Sequence, residues 1–179
     1  MAKARDIPGL DAETPFGDAA RATVRVRAEE VFDHADRVLD TTDIERVHAM
    51  RVATRRLRAV LEIYRPCFKA KELRPVLRDV KALADALGAR RDPDVQLDSL
   101  EEIAAQLTDA DRPGIDVFAS RLRAEQAAGN ATLAAALQEA ERSDLRGRLA
   151  ALCGAPAPRP PGPARTIGGS NGAPSRSSA

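Results

Sequence analysis

The 179-residue chain has no tryptophan, one tyrosine and four phenylalanines, and no aromatic residue interrupts its arginine-rich run 51–58. Stacking of bases on rings, a common means of holding single-stranded nucleic acid, therefore has little support. The two cysteines, Cys67 and Cys153, fit no metal or redox spacing and suggest no disulfide framework. No stretch approaches the roughly 18 apolar residues of a membrane span. The start, Met-Ala-Lys-Ala-Arg-Asp, leads into no apolar run, so no signal peptide is expected. These absences make a soluble cytoplasmic protein the expectation. No G-x-x-x-x-G-K loop, alternating Glu-x-Glu-x-Lys pattern or Cys/His ligand cluster is present, which argues against an enzyme and against a metal or other cofactor.

Net charge is only +1, but its distribution is uneven. Residues 43–91 carry 13 Lys/Arg against 6 Asp/Glu, whereas residues 92–144 carry 4 against 12. A basic half followed by an acidic half predicts a polarised surface able to focus an anion on one side.

No segment shows strand alternation with β-branched enrichment, so the expected fold is all-α, an antiparallel bundle of about six helices. Residues 1–14 read as a flexible arm, 15–152 as a helical domain and 153–179 as a disordered Pro/Gly/Ser-rich tail. The first helix is expected over 15–39. Thr42-Asp-Ile-Glu45 has the form of a capping box opening a second helix over 43–65, which Pro66 ends. A third, over 72–87, has Gly88 as its natural stop. Asp92-Pro93 then reads as N-cap and first position of a fourth helix, to 107. A long fifth over 113–142 is weakened at Gly129-Asn130, and Ser143 caps a short sixth over 144–152.

The richest stretch is His48-Ala-Met-Arg51-Val-Ala-Thr-Arg55-Arg56-Leu-Arg58. On a helix, positions 48, 51, 55 and 58 fall within about 80°, and the apolar stripe through Met50, Ala53, Leu57 and Leu61 lies about 110° away. Lys71, Arg74, Arg78 and Lys81 form a second basic row beside the third helix's apolar stripe. Antiparallel packing of the two helices would let both rows border one groove suited to an oxyanion-rich polymer. A solvated basic face explains the same periodicity, and Glu62 and Asp85 are placed to neutralise Arg58 and Lys81 at i,i+4. His48 is a poor metal site, since guanidiniums surround it and its face carries no thiol or carboxylate nearby.

The run Val47–Arg58 resembles the opening motif of the CHAD domain, the conserved histidine α-helical domain. Leu83-Ala-Asp-Ala-Leu-Gly-Ala-Arg-Arg-Asp-Pro-Asp-Val95 is similar to that family's second signature. The resemblance covers about residues 15–152 and implies an all-helical domain that binds inorganic polyphosphate through a basic channel, without catalysis. It marks His48, Arg51, Arg55, Arg58 and Arg91 as contacts, and with less motif support Arg78 and Lys81. Arg56 belongs to the motif but points elsewhere. A second histidine-arginine helix, expected of such domains, does not follow, so the chain reads as the N-terminal half alone, with exposed apolar surface and a homodimer as replacement for the missing bundle. Polyphosphate granules in the cytoplasm would be its place of action. The rivals are a nucleic-acid-binding helical protein and a helical scaffold without a ligand.

Overall fold

The computed structural model describes residues 3–108 and 112–154. Five α-helices follow one another: α1 (Phe16–Asp33), α2 (Ile44–Ile63), α3 (Ala70–Ala104), α4 (Arg112–Arg142) and α5 (Leu145–Leu152), with a 3-10 turn at Arg65–Cys67. Among the described residues there is no strand. The first four helices pack in sequence, each antiparallel to the next, and the short α5 closes one end against α1, α3 and α4.

Apolar residues at helical spacing build the core. Val24 and Val31 of α1, Met50, Leu57 and Leu61 of α2, and Leu73, Val80 and Leu87 of α3 meet Leu133 of α4 and Leu145 and Leu149 of α5. Cys153, assigned from sequence to the tail, closes this core, where burial pushes its thiol up to about 11. Residues 155–179 of the expected tail lie outside the described residues. The segment expected to be a flexible arm has no helix before Phe16, but it is tied to α1 at one point. There the Arg5 backbone N–H donates to Glu30, its side chain pairs with Asp33 at 2.5 Å, and Arg27 donates to the Arg5 carbonyl.

Several helix boundaries differ from expectation, each for a local reason. α1 ends at Asp33 rather than near residue 39, and the chain turns through Arg37, which has a left-handed φ of 54°. The Thr42–Glu45 capping box does not form. Thr42 instead donates both its hydroxyl and its backbone N–H to Asp40, and Asp43 takes the N-cap position without a side-chain cap bond. Asp144, not Ser143, caps α5, accepting from the Gly147 N–H at 3.0 Å.

The largest difference is in α3. The expected third and fourth helices are one continuous 35-residue helix that passes through both Gly88 and Pro93. Proline removes the N–H that would bond the Ala89 carbonyl one turn back. α4 compensates by close approach: a Cβ added at Gly129 would lie 2.7 Å from that carbonyl oxygen, so only glycine fits. Beside this contact Arg90 and Asp94 pair in full burial, and Gln126 and Asn130 of α4 join the polar cluster. The tertiary contacts of α4 thus hold α3 straight through residues that read locally as punctuation. Beyond this joint, α3 and α4 continue as a two-helix extension around Leu100, Ala119 and Leu122. Large apolar side chains stay exposed at Phe16, Ile63, Val117 and Phe118.

Candidate anion-binding surface

The α2 cation row begins one position beyond the buried stripe at every turn. Val47, Met50, Thr54, Leu57 and Leu61 are buried, and His48, Arg51, Arg55, Arg58 and Glu62 follow them. The opposite flank of α2 faces α1, because the positive charge of Arg56 acts on Glu30 of that helix. The cation row therefore flanks the α3 side. On α3 the flank carrying Asp79 faces α5, where Arg148 donates to Asp79 at 2.6 Å. Arg74, Arg78 and Lys81 lie on the other flank.

Residue order runs in opposite rotational senses about antiparallel axes viewed from one end. Rows displaced C-terminally from the shared core on α2 and α3 consequently emerge on the same side of the pair. On this geometry both rows flank the same side of the α2–α3 pair.

The cations on that surface differ in how free they are. Arg55, Arg74 and Lys81 are exposed, Arg51 is half-buried, and among the described residues no carboxylate pairs with any of the four. Arg58 forms the expected i,i+4 pair with Glu62 at 2.9 Å. Arg78 pairs with its neighbour Asp79 at 3.0 Å, with 76% of its side chain exposed. Exposed pairs of this kind contribute little and yield readily to a stronger anion. The Lys81–Asp85 pair is not formed. His48 is half-buried at the α2 N-terminal end of the row.

Arg91 is the most constrained of the seven expected contacts. It lies within α3 rather than in a loop, half-buried, with Nε and Nη1 enclosed and without a hydrogen-bond partner. Its neighbour Arg90 is wholly enclosed and structural, a role that adjacency in the sequence did not separate from that of Arg91. Among the described residues no group of three or more His, Cys, Asp or Glu is placed to hold a metal ion. No described helix is long and apolar enough to cross a membrane.

Two carboxylates on the far flanks show the contrasting electrostatics. Burial raises the Glu30 carboxyl, but hydrogen bonds from Arg5 and Arg27 and the charges of Arg27 and Arg56 outweigh it and hold the group below its ordinary value. Asp79 is likewise raised by burial and lowered further by Arg148 and Arg78. Arg27, Arg56 and Arg148 act on these two internal acids, and of the cations on the candidate surface only Arg78 does so.

The CHAD-domain pattern matches residues 22–175, most of the 179-residue chain. The chain belongs to the CHAD-domain family. The match runs from within α1 through α5 and on into the segment beyond residue 154, so the family pattern covers the whole of the candidate surface. No curated protein matches the chain.

Proposed function

We propose that this CHAD-domain protein binds inorganic polyphosphate, without catalysis, on the surface shared by α2 and α3. The observation that carries this reading is the convergence of two basic rows on one side of the helix pair, with Arg51, Arg55 and Lys81 unpaired. Arg51, Arg55 and Arg58 supply forked donors from α2, His48 adds a ring N–H donor, and Arg78 and Lys81 face them from α3. Arg91 contributes mainly charge and its remaining Nη2 edge, since Nε and Nη1 are enclosed. From His48 to Arg58 the row is about 15 Å long, room for several consecutive phosphates. Neutralising them releases counterions, so affinity falls steeply with salt.

Equilibrium binding of a labelled polyphosphate tests the reading, with a competitor arm. Polyphosphate is expected to bind, the triple variant Arg51→Ala/Arg55→Ala/Arg58→Ala to lose at least about tenfold in affinity while remaining helical, and log K to fall with log salt at a slope of about −3. Duplex DNA that displaced polyphosphate at equal phosphate concentration would favour the nucleic-acid reading instead. Phosphate release in the presence of magnesium or manganese would contradict a purely binding role.

A further inference from the structure

Gly88 sits inside α3, where glycine costs a helix about 1 kcal/mol relative to alanine. Nothing in the fold asks for it: its φ is not left-handed, and a Cβ added there would meet no atom within 4 Å. The contrast with Gly129, which α4 abuts, is sharp. Among the described residues the smallness of Gly88 is unused.

Gly88 also lies on one continuous stripe of α3. Steps of four and three residues lead from Arg74 through Arg78, Lys81, Asp85, Gly88, Asp92, Val95 and Ser99 to Glu102. Every member is exposed except Gly88 itself, which is half-buried. A four-three repeat is the pattern that keeps one seam of a long helix facing a partner helix. The 35-residue helix is about 52 Å long, ample for such a seam.

The charge along the stripe is antisymmetric about Gly88. Before it stand Arg74, Arg78 and Lys81 with one acid, Asp85, a net positive half; after it stand Asp92 and Glu102, with Asp98 and Glu101 alongside, a negative one. None of the last four acids has an ion-pair partner among the described residues. A partner helix complementary to a plus-to-minus gradient is the same gradient reversed, which a second copy supplies in antiparallel orientation.

We propose that two copies of this protein pair antiparallel along α3 about a two-fold axis at Gly88. In that register Arg74 faces Glu102 of the second copy and Arg78 faces Asp98, each contact occurring twice. Arg78 exchanges an exposed pair with its neighbour Asp79 for one across the interface. The missing side chains at Gly88 let the two axes approach at their crossing, where a bulky residue such as leucine would hold them apart. Val95 is the only large apolar residue on the stripe, so charge rather than apolar burial drives association, and salt opposes it.

Analytical ultracentrifugation across a concentration series in low-salt buffer, with no polyphosphate present, tests the pairing. A dimer that dissociates as salt rises is expected. Arg78→Glu and Asp98→Arg should each weaken dimerisation by about tenfold or more, and the double variant Arg78→Glu/Asp98→Arg should recover it, since both pairs are reversed together. Gly88→Cys in a Cys67→Ser background should give a disulfide-linked dimer under mild oxidation, because a residue on the axis meets its own copy. A chain that stays monomeric at all concentrations overturns the inference. So does a double variant no better than the single ones, or a dimer that Gly88→Cys fails to link. Because Arg78 belongs to both surfaces, polyphosphate binding is read at protein concentrations where the chain is monomeric: a chain that binds the polymer yet never dimerises fails this inference alone, and one that dimerises yet does not bind as a monomer fails the binding proposal alone.

Discussion

Arg90 and Asp94 form an ion pair one turn apart on α3 in which both side chains are wholly enclosed. α4 adds two partners: Gln126 donates to the Asp94 carboxylate at 2.7 Å, and Arg90 donates to the Asn130 side-chain oxygen at 3.1 Å, while Arg90 Nη2 and Asp94 Oδ2 stay enclosed without a hydrogen bond. Asn130 in turn donates to the Leu39 carbonyl in the α1–α2 connection. One buried charge cluster thereby joins α3, α4 and the turn that delivers the histidine-arginine helix.

Removing one member of that cluster leaves the other charge buried without compensation. Asp94→Ala is expected to cost about 3–5 kcal/mol of stability. The paired replacement Arg90→Met/Asp94→Leu, which leaves no stranded charge, should cost clearly less. Urea unfolding monitored by circular dichroism reads both, and equal losses would contradict the account.

Gly129 lies against the Ala89 carbonyl that Pro93 leaves without an N–H partner. Alanine at 129 improves helix propensity yet places its methyl against backbone oxygen, so Gly129→Ala is expected to lower stability by about 1–3 kcal/mol. A melting temperature at or above that of the parent protein would show that α4 can back away without loss.

Arg55 and Arg56 are adjacent in sequence and opposed in role. Arg55→Ala should weaken polyphosphate binding several-fold and leave the melting temperature nearly unchanged, because the side chain is exposed and unpaired. Arg56→Ala should do the reverse, since its charge acts on the buried Glu30 carboxylate. Binding isotherms and thermal melts on the two variants separate these outcomes.

Glu30 and Asp79 are both held below their ordinary range in the fold. A carboxyl whose folded value is depressed contributes stability above its unfolded value, near 4, and loses it as pH falls through the folded value. Melting temperature should therefore be flat on this account around neutrality and decline as pH drops below about 4. Glu30→Gln should lower stability at neutral pH and flatten the acid decline. An unchanged acid slope in that variant would remove Glu30 from the explanation.

The all-helical class, the core face of α2 and the exposure of most of the two basic rows were legible along the chain. Each depends on residues only three or four positions apart, and helical periodicity converts that spacing directly into a shared face. Met50, Leu57 and Leu61 are buried, and Arg56 points away from the cation row, as spacing alone requires. The CHAD signatures were legible for the same reason, being local runs. Cap choices were less so, because Asp40 accepts the hydroxyl and N–H of Thr42 that the capping box would use, and Asp144 accepts from the Gly147 N–H as the cap one residue beyond Ser143.

What the tertiary structure decided is concentrated at residues 88–94. Local chemistry there calls for a glycine stop and an Asp-Pro start. α4 overrides both by covering the Ala89 carbonyl with Gly129 and enclosing Arg90 with Asp94. The energy of those contacts comes from residues about 40 positions away, which no local window contains. The sequence by itself determined which side chains share a helix face. Only packing determined that two such faces open on one side, and that α3 runs unbroken long enough to carry a charge gradient from one end to the other.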